Sequence, residues 1–189
     1  MRAYGSEWTD ADQSHAMGVS SADWAAYMAA RLGHRMTDAQ VMEEVVSRIE
    51  ATYRAQVPLM PGAREAVEVL AGSMPLGLAS GSHVRLIRAA LEGAGWTNVF
   101  SVVVSCDEVA RGKPAPDVYL ETMRRLHVAP GETVVFEDST NGILAGHAAG
   151  VRLVAVPSRY LPPPADVLNQ ADRVLASLVE FEPGMLRDL

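Results

Sequence analysis

The pattern of apolar and polar residues along the chain changes near residue 57. Before this point apolar residues recur at helical spacing, as at Val41, Val45 and Ile49, which predicts that one face of a long helix is buried. Helices are predicted over residues 11–17 and 24–32 and from Thr37 onward. Residues 1–56 are therefore predicted to be helical throughout, and the proline- and glycine-containing stretch Pro58–Gly62 ends this region.

Beyond the break, short apolar runs alternate with longer amphipathic stretches. The runs have the composition of buried parallel strands, and the stretches have the spacing of helices. Strands are predicted over 75–80, 101–105, 133–136 and 151–156, and helices over 63–71, 83–93, 115–126 and from Thr140. This alternation predicts an α/β fold in which a parallel sheet is wound right-handedly. The turn-rich tail after Pro162 is predicted to contain a short helix over 174–179.

Composition narrows the class of protein. The 189 residues fit one domain, or a domain with a small insertion, and the apolar content of 49% predicts a sizeable core. Trp8, Trp24 and Trp96 are predicted to pack in that core or among the first helices. A net charge of −7, without a dense Lys/Arg cluster, argues against a nucleic-acid partner. Cys106 is the only cysteine, which favours a reducing compartment. No apolar run has the length of a membrane span and no signal-type segment follows Met1, so a cytoplasmic protein is predicted.

Two adjacent carboxylates, Glu137 and Asp138, follow the predicted strand over 133–136. Ser139 comes next in helix-cap position, before a helix rich in small residues. Ligands of open α/β sheets bind outside the carboxyl ends of the strands, so this position suits chemistry. Two carboxylates beside a helix N-terminus can hold a divalent cation such as Mg²⁺ while the helix amides face an anion. The competing interpretation is an ordinary acidic helix start, which the helix dipole favours.

Two further polar loops follow other predicted strands. Ser80 and Gly81 offer a hydroxyl and unhindered amides that can cradle phosphoryl oxygens, although Ser-Gly-Ser is also a common turn. Lys113 stands between Gly112 and Pro114, and a cation on a stiff loop suits neutralising a phosphate or a carboxylate nucleophile. A solvated lysine before a helix is the alternative. Together the loops bring a hydroxyl, a lysine and two carboxylates to the ends of three different strands.

This set of loops resembles the haloacid dehalogenase superfamily of phosphatases and phosphomutases. The second, third and fourth motifs of that family resemble Leu78–Gly81, Arg111–Pro116 and Val135–Ser139 respectively. The resemblance implies a Rossmann-like parallel sheet in an α/β core over residues 57–189, with a partial helical cap over residues 1–56.

The resemblance also implies a role for each singled-out residue. Ser80 and Gly81 would hold the transferring phosphoryl group, and Lys113 would stabilise its charge and that of the nucleophile. Glu137 and Asp138 would anchor Mg²⁺, one of them through a water molecule. The partner would be a small phosphorylated metabolite.

One motif of the family is not found. It has the form Asp-x-Asp-Gly and follows the central strand of the sheet; its first aspartate attacks phosphorus and its second protonates the leaving oxygen. Asp10-Ala-Asp12 has this spacing, but no apolar strand precedes it and no glycine follows, and Thr9 with Asp12 is explained as a helix cap. We therefore expect the chain to begin after the first motif, because of a truncated reading frame or a start codon assigned too late. In the sheet of the family this strand lies between those of the second and fourth motifs, so the resemblance implies a gap of about 9–10 Å between these two strands.

The function implied by the resemblance is Mg²⁺-dependent hydrolysis of a small phosphate monoester, through an aspartyl phosphate in the intact protein. A sugar-phosphate mutase is the first alternative. In the mutases an arginine that grips a second phosphate follows the turn resembling Gly18–Ser20, whereas Ser21 follows it here; Arg31, Arg35 or Arg54 can serve instead. The second alternative is a non-catalytic fragment or a binding protein. A monomer is expected.

Overall fold

The computed structural model describes residues 5–17 and 19–189, so Gly18 of the predicted turn lies outside the described residues. The helices are α1 (Asp10–Ala16), α2 (Ser21–Arg31), α3 (Asp38–Ala55), α4 (Ala63–Ala71), α5 (Val84–Ala94), α6 (Asp117–Leu126), α7 (Thr140–Ala149) and α8 (Ala165–Leu168). The strands are β1 (Gly77–Ser80), β2 (Val102–Ser105), β3 (Val134–Glu137), β4 (Arg152–Ala155) and β5 (Arg173–Val174). Short 3₁₀ helices cover Cys106–Glu108, Pro130–Glu132, Leu178–Glu180 and Pro183–Asp188. The predicted α/β class is confirmed.

Side-chain caps determine where several helices begin. Thr9 accepts a hydrogen bond from the backbone N–H of Asp12, whose carboxylate accepts one from the Thr9 N–H in return. Thr37 and Gln40 form the same box at the start of α3. Ser139 caps α7, as predicted. Because these signals are local, helices α1 to α7 start within three residues of the predicted positions, whereas α8 was not predicted.

The strands form two parallel sheets instead of one. β1 pairs with β2, with Leu78 opposite Val103, and β4 lies between β3 and β5, with Leu153 opposite Val135. Among the described strands no ladder joins β1 to β3, so each has one unpaired edge. The two sheets share a hydrophobic cluster to which α6 and α7 contribute, with Ala79 of β1 and Val135 of β3 packed against it. The break lies between the strands of the second and fourth motifs, where the resemblance to the family implies a gap.

The break changes the burial of the strands beside it. All of β3 and most of β1 are only half-buried, whereas Val104 of β2 and Leu153 of β4 are fully buried. The runs 75–80 and 133–136 contain strands, as predicted, but these strands are less buried than the sequence predicts. Their apolar composition suits burial on both faces, but an unpaired edge leaves open the side that a neighbouring strand would cover.

The tail also differs from its prediction. Instead of a helix over 174–179, Arg173 and Val174 extend the second sheet by pairing with β4, and only Leu178–Glu180 is helical, as a 3₁₀ turn. The backbone of β4 has an edge on this side, and pairing it satisfies polar groups that a short isolated helix would leave open.

The helices before β1 pack on the α/β part mainly through α3, which lies along α5. Arg85 of α5 joins the two helices by donating to Glu43 at 2.8 Å and to Glu50 at 2.6 Å, both on α3. The predicted division into a cap over 1–56 and a core over 57–189 stays a prediction. No helix within the described ranges is long and apolar enough to cross a membrane.

The carboxylate of Asp12 is held by hydrogen bonds and an ion pair within the first two helices. Beyond its cap contacts with Thr9, its carboxylate accepts from the Tyr27 hydroxyl at 2.6 Å and pairs with Arg31 at 2.9 Å. It is buried, and the Tyr27 hydrogen bond, followed by those from Thr9, holds the pKa of Asp12 well below its ordinary value. The prediction that Asp10-Ala-Asp12 belongs to a helix cap is confirmed.

We expect Asp12→Asn to lower the urea midpoint at pH 7. Because folding lowers the pKa of Asp12, its contribution to stability is complete above the ordinary pKa of about 3.9 and is lost as the pH falls toward the lowered value. The difference in midpoint between variant and wild type should therefore shrink between about pH 5 and pH 3. Asp38→Asn, at an exposed position at the start of α3, is the control and should change the midpoint little. A gap between Asp12→Asn and wild type that is unchanged at pH 3 would contradict this assignment.

Candidate active site

Loops from three parts of the chain open into one cavity of about 790 Å³, between the strand ends and helices α1–α3. All five residues that the sequence singles out line this cavity: Ser80, Gly81, Lys113, Glu137 and Asp138. The volume lies within the usual range of ligand pockets, roughly 300–1,000 Å³. The fold therefore brings the predicted residues together, while their roles stay predictions.

Lys113 reaches across the break between the two sheets. Its ammonium group donates to the carbonyl oxygen of Ala79 in β1, at 3.3 Å, and forms an ion pair with Glu137 at the end of β3. The two charged side chains are only 5% and 9% exposed. The Lys113–Pro114 peptide bond is cis. Since a charge buried in this way is costly without its partner, each residue of the pair depends on the other.

The Glu137 carboxylate is hydrogen-bonded on both oxygens. Oε1 accepts from Lys113 and from the hydroxyl of Tyr119. Oε2 accepts from the backbone N–H of Asp138 and from the hydroxyl of Ser139, both at 3.1 Å. The charge of Glu137 is therefore already compensated in this state of the site.

The start of α7 is shaped around this carboxylate. Ser139 Oγ accepts from the N–H of Gly142 at 3.0 Å and so caps the helix. A Cβ at Gly142 would overlap the Glu137 carboxylate. A glycine at this position therefore lets the Glu137 side chain fold back over the helix N-terminus, where the helix dipole favours a negative charge.

The electrostatics of the site follow from burial and from these partners. Burial by itself raises the pKa of Glu137, but the Lys113 charge and the hydrogen bonds from Lys113, Tyr119 and the Ser139 N–H outweigh it, so the pKa lies below its ordinary value. Burial, followed by the negative charge of Glu137, raises the pKa of Tyr119 well above its ordinary value. Glu137 is thus an anion and Tyr119 a neutral donor near pH 7.

Asp138 is the second carboxylate that lines the cavity. Burial, and then the charge of Glu137, raises the pKa of Asp138, and together they outweigh the backbone hydrogen bond and the Lys113 charge, which act in the opposite direction. No three His, Cys, Asp or Glu side chains of the described residues converge as a complete metal-binding set. Mg²⁺ commonly takes one or two carboxylates and completes its octahedron with water and substrate phosphate. The donor set therefore fits Mg²⁺ together with a bound phosphate.

The loop after β1 presents a free donor to the cavity. Ser80 Oγ accepts from the backbone N–H of Ser82 at 3.1 Å, which leaves the Ser80 hydroxyl proton available for another acceptor. Ser105 Oγ, at the end of β2, donates to the Ser82 carbonyl oxygen at 2.8 Å. These bonds hold the loop in place at the edge of the cavity, which Ser80 and Gly81 both line.

Sequence reasoning did not identify Tyr119 and Gly142 as parts of this site. Tyr119 lies on the buried face of α6. The Lys113 Nζ atom lies 4.6 Å from the centre of the Tyr119 ring, and the Tyr119 hydroxyl donates a hydrogen bond to Glu137. The available signal was a tyrosine on the apolar face of a helix that follows Lys113, since a buried phenol needs a hydrogen-bond partner. No signal in the sequence distinguishes Gly142 from a glycine that merely packs closely.

The opposite wall of the cavity is formed by α1–α3 and is largely apolar. It includes Trp8, Trp24, Met28, Val45 and Ile49. Trp24 and Met28 also pack against the hydrophobic cluster of these helices, so the prediction that the first two tryptophans are packing residues was incomplete. Side chains of this wall are available to contact a ligand held by the loops.

Two hydrogen bonds fasten this wall to the strand ends. The Ser21 N–H donates to the Asp107 carboxylate at 2.8 Å, and the Asn141 side-chain amide donates to the carbonyl oxygen of Met17 at 2.7 Å. Gly112, next to Lys113, approaches the backbone of Ser20 so closely that a Cβ there would lie 2.8 Å from the Ser20 nitrogen. The wall and the loops at the strand ends are therefore in direct contact.

Curated relatives cover most of this chain. The bifunctional riboflavin kinase/FMN phosphatase of Arabidopsis thaliana is 37% identical over 145 residues, which are 74% of this chain and 38% of that protein. Hexitol phosphatase B of Escherichia coli strain K12 is 35% identical over 144 residues, 75% of this chain and 64% of that protein. The chain thus spans between about two fifths and two thirds of the length of these relatives.

Solved structures match over nearly the whole chain. A CbbY variant from Rhodobacter sphaeroides in complex with xylulose-(1,5)bisphosphate has a TM-score of 0.79 and 26% identity, over 95% of this chain and 84% of that one. A β-phosphoglucomutase from Clostridium difficile has a TM-score of 0.81 at 18% identity, over 99% and 84%, which shows the fold alone. The sequence profile of haloacid dehalogenase-like hydrolases matches residues 1–156. The chain therefore belongs to the haloacid dehalogenase-like hydrolase family.

Proposed function

We propose that this protein is a Mg²⁺-dependent hydrolase that removes the phosphate from a small phosphorylated metabolite. The observation that carries the proposal is the convergence of Ser80, Lys113 and Asp138 on one cavity, since a donor, a cation and a metal-binding carboxylate together suit a phosphoryl group. Family membership supports a hydrolase. The names of the relatives, which include phosphatases of FMN and of hexitols, support a small phosphorylated metabolite as substrate.

The cavity floor, which consists of Ser80, Gly81, Lys113, Glu137 and Asp138 at the strand ends, binds the phosphate through donors, a cation and a metal ion. The Ser80 hydroxyl and the Gly81 amide donate to phosphoryl oxygens, and the Lys113 ammonium neutralises their charge from the other side. Asp138, with Glu137 through a water molecule, would hold Mg²⁺, which supplies further positive charge against the phosphoryl oxygens. Lys113 stays positioned between Glu137 and the bound anion, so it acts without leaving its buried site.

The attacking group is not among the described lining residues. Glu137 and Asp138 are the only carboxylates that line the cavity in the described ranges. Glu137 is fully hydrogen-bonded, and Asp138 is assigned to the metal. The aspartate nucleophile and the acid/base aspartate that the family's first motif supplies are therefore needed in addition, and this need favours a phosphate-binding protein without turnover as the second candidate for the polypeptide 1–189.

Phosphate release from a small phosphate ester tests the proposal and separates the two candidates. We expect the polypeptide 1–189 to be at least about 100-fold slower than the same chain extended at its N-terminus by an apolar strand and an Asp-x-Asp-Gly loop. The activity of the extended chain should require Mg²⁺. Equal rates for the two polypeptides would show that the account of the nucleophile is wrong, and no release by either would contradict a hydrolase.

Product analysis with a hexose 1-phosphate, with and without a bisphosphate activator, separates hydrolase from mutase. The cytoplasmic location and the monomeric state stay predictions.

A further inference from the structure

The cavity has a charged end and an apolar end. Its charged lining residues among those described, Lys113, Glu137 and Asp138, all belong to the floor at the strand ends. The lining side chains that α1–α3 and α5 contribute in the described ranges are uncharged, and they include Gln13, Ala16, Trp24, Met28, Ile49 and Leu86. A ligand whose phosphate lies on the floor therefore places the rest of its body against an apolar surface.

The arginines of the helical region do not line this apolar end. Arg31 pairs with Asp12 at 2.9 Å, and Arg54 pairs with Glu50 at 2.8 Å. Neither of them, nor Arg35, is among the residues that line the cavity. In the described part of the wall a second phosphate would thus meet no cation, although burying its charge would demand one.

The same wall disfavours a body rich in hydroxyl groups. A sugar hydroxyl that leaves water for an apolar surface loses its hydrogen bonds and costs free energy unless the protein replaces them. Among the described residues that α1–α3 contribute to the lining, Gln13 is the polar side chain; its Oε1 accepts from the Trp8 indole N–H at 2.9 Å, so only its amide N–H groups remain to replace the bonds of several hydroxyls. A flat apolar body, in contrast, can pack on the Trp24 ring and on the Met28 sulfur, and both side chains are half-buried and held by packing.

We infer that the substrate carries a single phosphate on a flat, largely apolar body such as an aromatic ring, and that Trp24 and Met28 select this body. The inference rests on the proposed function, because it takes the phosphate to lie on the floor beside Lys113. It goes further by excluding two substrate classes, bisphosphates and open polyol phosphates, as preferred ligands.

Binding to the polypeptide 1–189 in the presence of Mg²⁺ tests the inference without relying on turnover. The probes are inorganic phosphate, 1-naphthyl phosphate, glucose 6-phosphate and fructose 1,6-bisphosphate, titrated by calorimetry. We expect naphthyl phosphate to bind at least about 10-fold more tightly than each of the other three. Trp24→Ala should remove most of this preference and leave the affinity for inorganic phosphate unchanged. Trp96→Ala is the matched control, because Trp96 packs on Phe100 outside the cavity and its loss should leave the preference intact.

A second variant keeps the test open if Trp24→Ala does not fold. Met28→Gln keeps the length of the side chain and makes the wall polar, so it should reduce binding of naphthyl phosphate several-fold without weakening inorganic phosphate. If inorganic phosphate binds but naphthyl phosphate gains nothing, or if both variants keep the preference, the inference fails and the proposed function survives. If no phosphate compound binds to the folded chain, the proposed function fails and the inference fails with it.

Discussion

Lys113→Met is expected to lower the free energy of unfolding by about 3–5 kcal/mol, because it leaves the buried Glu137 carboxylate without its cation. Lys113 is the only lysine of the chain. Because its side chain is only 5% exposed, water has little access to the Glu137 carboxylate and cannot compensate the lost positive charge. Such a loss is a large part of the stability of an ordinary domain, about 5–15 kcal/mol. Urea unfolding followed by circular dichroism measures it directly.

The double variant Lys113→Met/Glu137→Gln separates the ion pair from simple loss of packing. Glutamine carries no charge; its oxygen can take the Oε2 position and accept from the Ser139 hydroxyl, while its amide nitrogen can donate to the Tyr119 oxygen, so most of the lost stability should return. Arg88→Met, which removes an exposed cation from α5, is the control and should change stability by less than about 0.5 kcal/mol. If the double variant is no more stable than Lys113→Met, the buried pair is not what holds Glu137 in place.

Gly142→Ala is expected to destabilise the protein by about 2–4 kcal/mol, against the usual sign of such a change. In the interior of a helix this substitution normally stabilises by about 0.5–1 kcal/mol. Here the added Cβ would overlap the Glu137 carboxylate, so either Glu137 leaves its contact with Lys113 or the start of α7 shifts. Both changes break hydrogen bonds of a buried charge.

The control for this prediction is Gly131→Ala, since a Cβ at Gly131 meets no atom within 4 Å. This variant should be neutral or slightly more stable than the wild type. Unfolding midpoints of the two variants, measured side by side, decide the matter. A stabilising effect of Gly142→Ala would mean that Glu137 does not occupy the position described over the helix N-terminus.

The helices and their starts were predictable because their signals are local. The capping boxes at Thr9 and Thr37 and the cap at Ser139 are visible as residue pairs three positions apart, and the structure forms them. The two-residue strand Arg173–Val174 could not be predicted, because its conformation comes from pairing with β4 and not from its own residues.

The separation of β1 from β3 was foreseen only through the family resemblance. The apolar runs of these strands indicate burial on both faces, whereas their actual exposure depends on which strands lie beside them. Periodicity alone carries no information about a neighbour in space. The half-burial of β1 and β3 is the physical consequence.

The candidate site was predictable to the extent that its residues follow strands. Ser80, Lys113 and Asp138 were identified in this way, because parallel strands bring their carboxyl ends to one edge. Tyr119 and Gly142 were not identified from the sequence, because their roles depend on how closely helices α6 and α7 approach Glu137. The apolar wall was not identified either, because a helical stripe of Trp and Met has the same sequence pattern whether it packs on a core or lines a cavity.

The most direct test of the central claim, that the floor of the cavity binds a phosphoryl group, is calorimetric titration of inorganic phosphate into the folded polypeptide 1–189. We expect saturable binding of one phosphate per chain, stronger with Mg²⁺ than without it, and weakened several-fold by Ser80→Ala while the unfolding midpoint stays unchanged. A folded chain that binds no phosphate in the presence of Mg²⁺, or binds it equally well after Ser80→Ala, would contradict the account.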